Sequence, residues 1–285
     1  MSADPVERVI VVTGEALVDL VLDRDGGLVG HPGGGPFNVA RTIGRLGQPA
    51  AYLGRISTDC FGSRLRRELD ADGQASYQFY AAGTSAPGLT LEAATAALPE
   101  RIGTFYLGTL GLVFEPIAST LEAVVSRLDE TTLVALDPNC RPAAIDDPTA
   151  YRGRLGRLLQ RTDLVKASED DLAWLSPGVD AVTAARGLLA QDRAGAVVTR
   201  GGEGALVATA ADVREIRAPA VDVIDTIGAG DSFMGALLAH WHDNGLGRDD
   251  LGGIDELTAA AEFACRVAAI TCSRAGADPP RRSEL

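Results

Sequence analysis

Gly228-Ala229-Gly230-Asp231 sets three small residues and a carboxylate directly ahead of an apolar helical stretch. Residues of those types at that spacing suit a particular chemistry. Amides at a helix start lack intrahelical partners, and the helix dipole is positive there. Glycine lets a ligand reach the main chain. Gly228, Ala229 and Gly230 are therefore expected to aim several N–H groups at one anion, and a phosphoryl group is the ligand such a concavity suits. Asp231 would repel that phosphate, so its placement admits two readings. It is an N-cap, or it is a general base that takes the proton from an attacking hydroxyl. Phosphoryl transfer needs donors for the spreading charge and, beside them, a base for the nucleophile.

Other chemistry-bearing residues stand at the ends of strand-like runs. Gly33-Gly34-Gly35 precedes a helical segment carrying Asn38. The run reads G-x-G-x-x-N, so the dinucleotide fingerprint is missing, and there is no Walker A motif. An NAD-dependent enzyme and a P-loop kinase are both disfavoured. These glycines let a sugar ring lie against the backbone, and Asn38 can donate to and accept from its hydroxyls. A flexible loop is the plain alternative. Asp19 lies just after the first apolar run. A carboxylate accepts two hydroxyl bonds at once, although a solvated aspartate would look the same. Asp137-Pro138-Asn139-Cys140-Arg141 closes the run TLVALD, at the strand end where open α/β sheets bind ligands.

Two of these stretches together carry a resemblance. DTIGAGDSFMGALLA (225–239) and GGGPFNVA (33–40) resemble the C-terminal and N-terminal signatures of the PfkB (ribokinase-like) carbohydrate kinases, in the family's order. The similarity extends over almost the whole chain. It implies that Asp231 is the base and that residues 228–230 form an anion hole. It implies a sugar held by Asp19, Gly33, Gly34 and Asn38, with Asn139 and Arg141 near the sugar or the transferred phosphate. TRGGEG (199–204) is similar to the family's turn beside the nucleotide, which places Thr199, Gly201, Gly204, Ser168 and Gly230 near ATP. The family's N-x-x-E, which organises Mg²⁺ through water, is replaced by Ser168 and Asp171; an acidic helix start accounts for them equally well. Asp225 and the carbonyls of Ile227 and Gly276 are where K⁺ would sit in members that bind it.

GEALVDLV with GGGPFNVA is most similar to the fructokinase branch. The 2-keto-3-deoxygluconate kinase, ribokinase and nucleoside kinase branches remain open, as does a binding protein that kept the fold and lost the activity. The family normally has a longer stretch between DADG (70–73) and ASYQFY (75–80), with an additional lid strand. A shortened lid is expected here, in segments near 17–35 and 74–88. Such lids exclude water and can mediate a homodimer.

These residues need elements to position them. Apolar residues make up 46% of the 285, enough to build a sizeable core. Strand-like runs at 8–14, 51–54, 104–108, 132–137, 163–167 and 196–200 alternate with helical patterns. That alternation predicts an α/β fold of the three-layer, ribokinase-like kind: a mostly parallel sheet with helices on both faces and a small β lid, in one domain. A hairpin is expected over 17–31, and 76–83 alternates like a second lid piece. The helix over 36–47 and the one carrying Phe233, Ala236, Leu237, His240 and Trp241 on one face are expected to pack into the core.

The net charge of −13 argues against nucleic acid and anionic membranes as partners, leaving a small sugar and ATP. Four cysteines without a C-x-x-C pair and only three histidines argue against zinc and disulfides, and point to a reducing cytoplasm. No long apolar run or leader is seen.

Overall fold

The computed structural model describes residues 8–22, 27–71, 86–190 and 194–285. The chain starts with β1 (Val9–Thr13), then β2 (Leu17–Leu22) and β3 (Leu28–Gly33), α1 (Gly35–Arg45), β4 (Ala50–Leu53) and α2 (Cys60–Ala71). It continues through α3 (Leu91–Ala97), β5 (Ile102–Gly108), α4 (Ile117–Val125), β6 (Leu133–Asp137), α5 (Pro148–Leu159) and β7 (Leu164–Ser168). Then come α6 (Glu169–Leu175), α7 (Ala181–Gly187), β8 (Gly195–Thr199), β9 (Ala205–Ala208), β10 (Val213–Ile216), α8 (Ala229–Asp243) and α9 (Ile254–Cys272).

One eight-stranded sheet runs in the order β10-β9-β8-β7-β6-β5-β1-β4, and β2 and β3 form a separate antiparallel pair. From β4 to β8 all pairs are parallel. Their residues are mostly apolar on both faces, as a doubly covered sheet requires. Along β1, Ile10 and Val12 join a cluster with α1, α8 and α9, while Val11 joins the opposite cluster with α4 and α5. The expected three layers follow from that alternation.

The far edge departs from the parallel pattern. β9 pairs antiparallel with β8 and β10 antiparallel with β9. The cause is connection length. The turn from Arg200 to Gly204 closes with an N–H···O bond of 2.8 Å, and Thr209 and Asp212 close the next at 2.9 Å. Neither has room for the crossover that a parallel pair needs.

The order also sets the location of a cleft. β4 and β5 lie on opposite sides of β1, so the chain reverses its direction of travel beside that strand. Loops after β1 and β5 diverge there, and open sheets bind ligands at such points. The hairpin expected over 17–31 is present as β2–β3, with Asp19 opposite His31. The alternating piece at 76–83, and most of the predicted lid segment 74–88, lie outside the described residues.

Helices α1 and α8 bring the two glycine-bearing loops together. Gly235 sits one turn beyond Asp231 in α8, and a Cβ there would lie 2.6 Å from Thr42 Cβ and 2.9 Å from the Val39 carbonyl of α1. The axes can approach this closely only because that side chain is missing. Phe233, Ala236, Leu237 and Trp241 anchor α8 in the core, as the pattern predicted. His240 is half-buried and packs against the Phe263 ring, with centroids 5.1 Å apart.

Candidate active site

The loop ahead of α8 is shaped by Gly228. Its φ of 75° is left-handed, and a Cβ would run into Ala277. Glycine is required on both counts. The helix therefore starts abruptly and has no side-chain cap. The amides of Gly228, Gly230 and Asp231 meet no acceptor among the described residues, whereas Ala229 N–H closes a turn onto the Thr226 carbonyl at 3.2 Å. The set of donors thus differs in one member: Asp231 N–H takes the place expected of Ala229.

Asp231 does not cap the helix with its side chain. Its Oδ2 accepts from Asn38 Nδ2 at 2.9 Å, across the α1–α8 junction. Its Oδ1 faces Gly35, where a Cβ would lie 3.3 Å from Oδ1, 2.7 Å from Thr109 Oγ1 and 3.4 Å from Asn139 Nδ2. Three polar groups, from α8 and from the segments after β5 and β6, converge on one bare backbone position. Burial raises the Asp231 pKa above its ordinary value, and the Asn38 bond, Lys166 and Arg141 offset this only in part. A carboxylate set this way is a better base than a solvated one.

A cleft of about 650 Å³ opens over this point. Its walls include Asp19 from β2, Gly34 and Asn38 from α1 and the residue before it, Asn139 and Arg141 after β6, and Gly228, Gly230 and Asp231. Asp19 is exposed, so its carboxylate is available. Asn139 (φ 38°) and Thr109 (φ 55°) both hold left-handed backbone without being glycine. Such strain clusters at functional sites. Arg141 donates to Asn139 Oδ1 at 2.6 Å and so fixes that side chain. Gly33 does not line the cleft; its missing side chain makes room for the Asp19 carboxylate.

A second, apolar cavity of about 230 Å³ lies on the other side of the α8 start. Thr199, Gly201, Gly204, Ala218, Val223 and Ala268 are among its walls, and it shares Thr226 and Gly230 with the first. It lies between the β8–β9 turn and the small residues of α9. Cys265 and Cys272 also line it. All four cysteines are free, and Cys272 is only half-buried rather than a core residue.

Ser168 and Asp171 lie apart from both cavities. They form a capping box at the start of α6: Asp171 N–H donates to Ser168 Oγ, and Asp171 Oδ2 accepts from Ser168 N–H at 2.8 Å and from its hydroxyl at 2.6 Å. Asp171 Oδ1 accepts from Cys140 N–H at 2.6 Å. Both oxygens of Asp171 thus accept bonds from protein, and neither residue lines a cavity. Among the described residues no group of three His, Cys, Asp or Glu side chains is arranged to hold a metal ion. Asp225, Ile227 and Gly276 do come together. The Asp225 carboxylate accepts from Ile227 N–H at 3.0 Å and from Gly276 N–H at 2.8 Å.

The sequence reading passed over Glu15 and Lys166, which also line the cleft. Glu15 is buried, and its two oxygens accept from Gly35 N–H and Gly111 N–H, both at 3.2 Å. It ties the end of β1 to the start of α1 and to the turn after β5. Lys166 lies within an otherwise apolar strand and bonds Asp137 Oδ2 at 2.9 Å. A charge in such a strand is the signal that was available for it.

Residues 8–113 and 91–283 match the pfkB family carbohydrate kinase domain. The chain is 32% identical to a fructokinase of Rhizobium leguminosarum bv. trifolii, over 87% of this chain and 84% of that one. It is 30% identical to a fructokinase of Klebsiella pneumoniae over 97% of each. The fold superimposes on a crystal structure of fructokinase from Vibrio cholerae O395, in a form with fructose, ADP and calcium bound, with a TM-score of 0.79 and 26% identity. That match covers 95% of this chain and 94% of the other.

Proposed function

This chain belongs to the pfkB family of carbohydrate kinases, and on that premise we propose that it transfers the terminal phosphoryl group of ATP to a primary hydroxyl of fructose. The observation that carries the reading is the junction of the two cavities. They meet at Thr226 and Gly230, at the amino end of α8, with Asp231 on the side of the polar cleft. A nucleotide base in the apolar cavity puts its phosphates against the free amides of Gly228, Gly230 and Asp231. A sugar in the cleft, held by Asp19, Asn38 and Asn139, brings a hydroxyl to the exposed oxygen of Asp231. The base takes the hydroxyl proton, the alkoxide oxygen attacks phosphorus, and the bond to the ADP oxygen breaks. Charge on the equatorial oxygens is met by preorganised N–H groups and by the helix dipole. A divalent cation carried by the nucleotide would offset charge on its phosphates; Ser168 and Asp171, engaged in the α6 cap, line neither cavity.

Fructose is favoured because the relatives named above are fructokinases. A coupled ADP-release assay across fructose, ribose, 2-keto-3-deoxygluconate and adenosine tests this. Highest kcat/KM with fructose is expected, and a clear preference for any other acceptor would overturn the sugar assignment. Asp231→Asn should bind ATP normally and lose kcat by roughly 10²–10⁴-fold, the usual contribution of a general base. Near-normal turnover in that variant would remove Asp231 from its role.

A further inference from the structure

Lys166 is the only lysine in the chain; the other 25 of its 26 basic residues are arginines. It is also among the least exposed charges, with a side chain only 4% accessible. Alternation along β7 puts it on the same sheet face as Leu164, whose side chain packs into the cluster with α8. Its ammonium is 2.9 Å from Asp137 Oδ2 on the neighbouring strand β6. It also lies 3.2 Å from where a Cβ on Gly230 would stand. The tip reaches the wall of the cleft, beside the free amides of the α8 start.

Stability does not account for this placement. Taking an ammonium and a carboxylate out of water costs several kcal/mol per ion, and apolar residues of similar size in such a place are often at least as stable. Charge state does fit a ligand role. Burial pulls the Lys166 pKa down, but Asp137, Asp171 and Asp231 outweigh it and hold the amine above its ordinary value. Burial pushes Asp137 up to about 6, with the Lys166 charge opposing. A compact ammonium fits under a helix start, where a planar guanidinium would need a wider space.

We propose that Lys166 is a further catalytic residue: its ammonium contacts the phosphoryl group in transit at the α8 start and supplies the full positive charge that backbone amides lack. The proposal rests on the kinase reading of the same cleft. Asp137 holds the ammonium in place, and Arg141, more exposed, is the other cation on the cleft wall.

The test uses Lys166→Met, which keeps the length of the stem, and Lys166→Met/Asp137→Asn, which also removes the stranded carboxylate should the single variant not fold. Two readouts are taken on the variant that melts cooperatively. The kcat for sugar phosphorylation is expected to fall by roughly 10²-fold or more, with the sugar KM changed by less than about threefold. Binding of a non-hydrolysable ATP analogue is expected to weaken relative to AMP, which has no phosphoryl group that reaches Gly230. A variant with near-normal kcat, or one whose loss lies only in sugar KM, overturns the proposal. So does an unchanged ratio of analogue to AMP affinity. That ratio needs no sugar, so it tests Lys166 even if the wild-type protein were to phosphorylate no sugar tried. The absence of wild-type transfer would sink the kinase reading by itself.

Discussion

At the scale of single residues, the cleft depends on carboxylates displaced from their ordinary pKa. Burial lifts Glu15 from 4.5 to about 8, partly offset by the Gly35 and Gly111 amides and reinforced by the Asp231 charge. A raised carboxyl favours folding while it is protonated. Its contribution is complete below pH 4.5, declines as pH rises, and is gone above about 8. In that window the group costs about 1.4 kcal/mol of stability per pH unit. Glu15→Gln cannot titrate, so wild-type stability is expected to fall relative to this variant between pH 5 and 8. Urea melts at three pH values check this; a constant difference would show that Glu15 does not change its proton there. Asp231 gives a second expectation of the same sign for catalysis. Only its carboxylate accepts a proton, so the acid limb of kcat/KM should lie above the range of a solvated aspartate. A limb at the ordinary aspartate value would contradict the burial seen at the α8 start.

At the scale of elements, the decisive contact is between two helices remote in sequence. Asn38 reaches Asp231 because α1 and α8 touch at Gly235, one turn beyond Asp231. Gly235→Ala places a methyl group against Thr42 and the Val39 carbonyl. Overpacking of this kind costs about 1–3 kcal/mol. The variant is expected to unfold at lower denaturant and to lose turnover through a displaced Asp231, with little change in ATP binding. Unchanged stability and turnover would mean that the helices have slack at this crossing. Short turns decide the other end of the sheet. They fold β9 and β10 back as an antiparallel edge, and the β8–β9 turn then becomes a wall of the apolar cavity. Capping chemistry likewise decides Ser168 and Asp171. A serine followed three residues later by an acid satisfies the α6 start locally.

For the whole molecule, the question is how well the cleft excludes water. The alignment with the Klebsiella pneumoniae fructokinase runs over 309 positions against a chain of 285 residues, so at least 24 of them have no residue in this chain. Relative to the family pattern the connection between Asp70 and Tyr80 is short, and we propose that the lid is reduced there. A smaller lid leaves Asp231 open to water as a competing acceptor. ATP hydrolysis without sugar should therefore be a measurable fraction of the kinase rate. Negligible hydrolysis would count against a truncated lid. No helix among the described residues is long and apolar enough to cross a membrane.

Much of the chemistry was legible along the chain, because its signals are local. Glycines ahead of an apolar helix, a carboxylate at the helix start and alternating strand and helix periods are read within a few residues; they indicated the layered sheet, and they singled out Asp231, Asn38 and the turn at 199–204, which the fold places on cavity walls. What Glu15, Lys166 and Gly235 do was not legible, because each acts through a partner far along the chain: Gly111, Asp137 and Thr42. The same holds for Asp171, whose oxygens were taken by a cap and by Cys140 N–H. Types and spacing determine which groups are present, whereas long-range packing decides which of them remain free to meet a ligand, since a buried polar atom binds the nearest protein partner whenever the fold provides one.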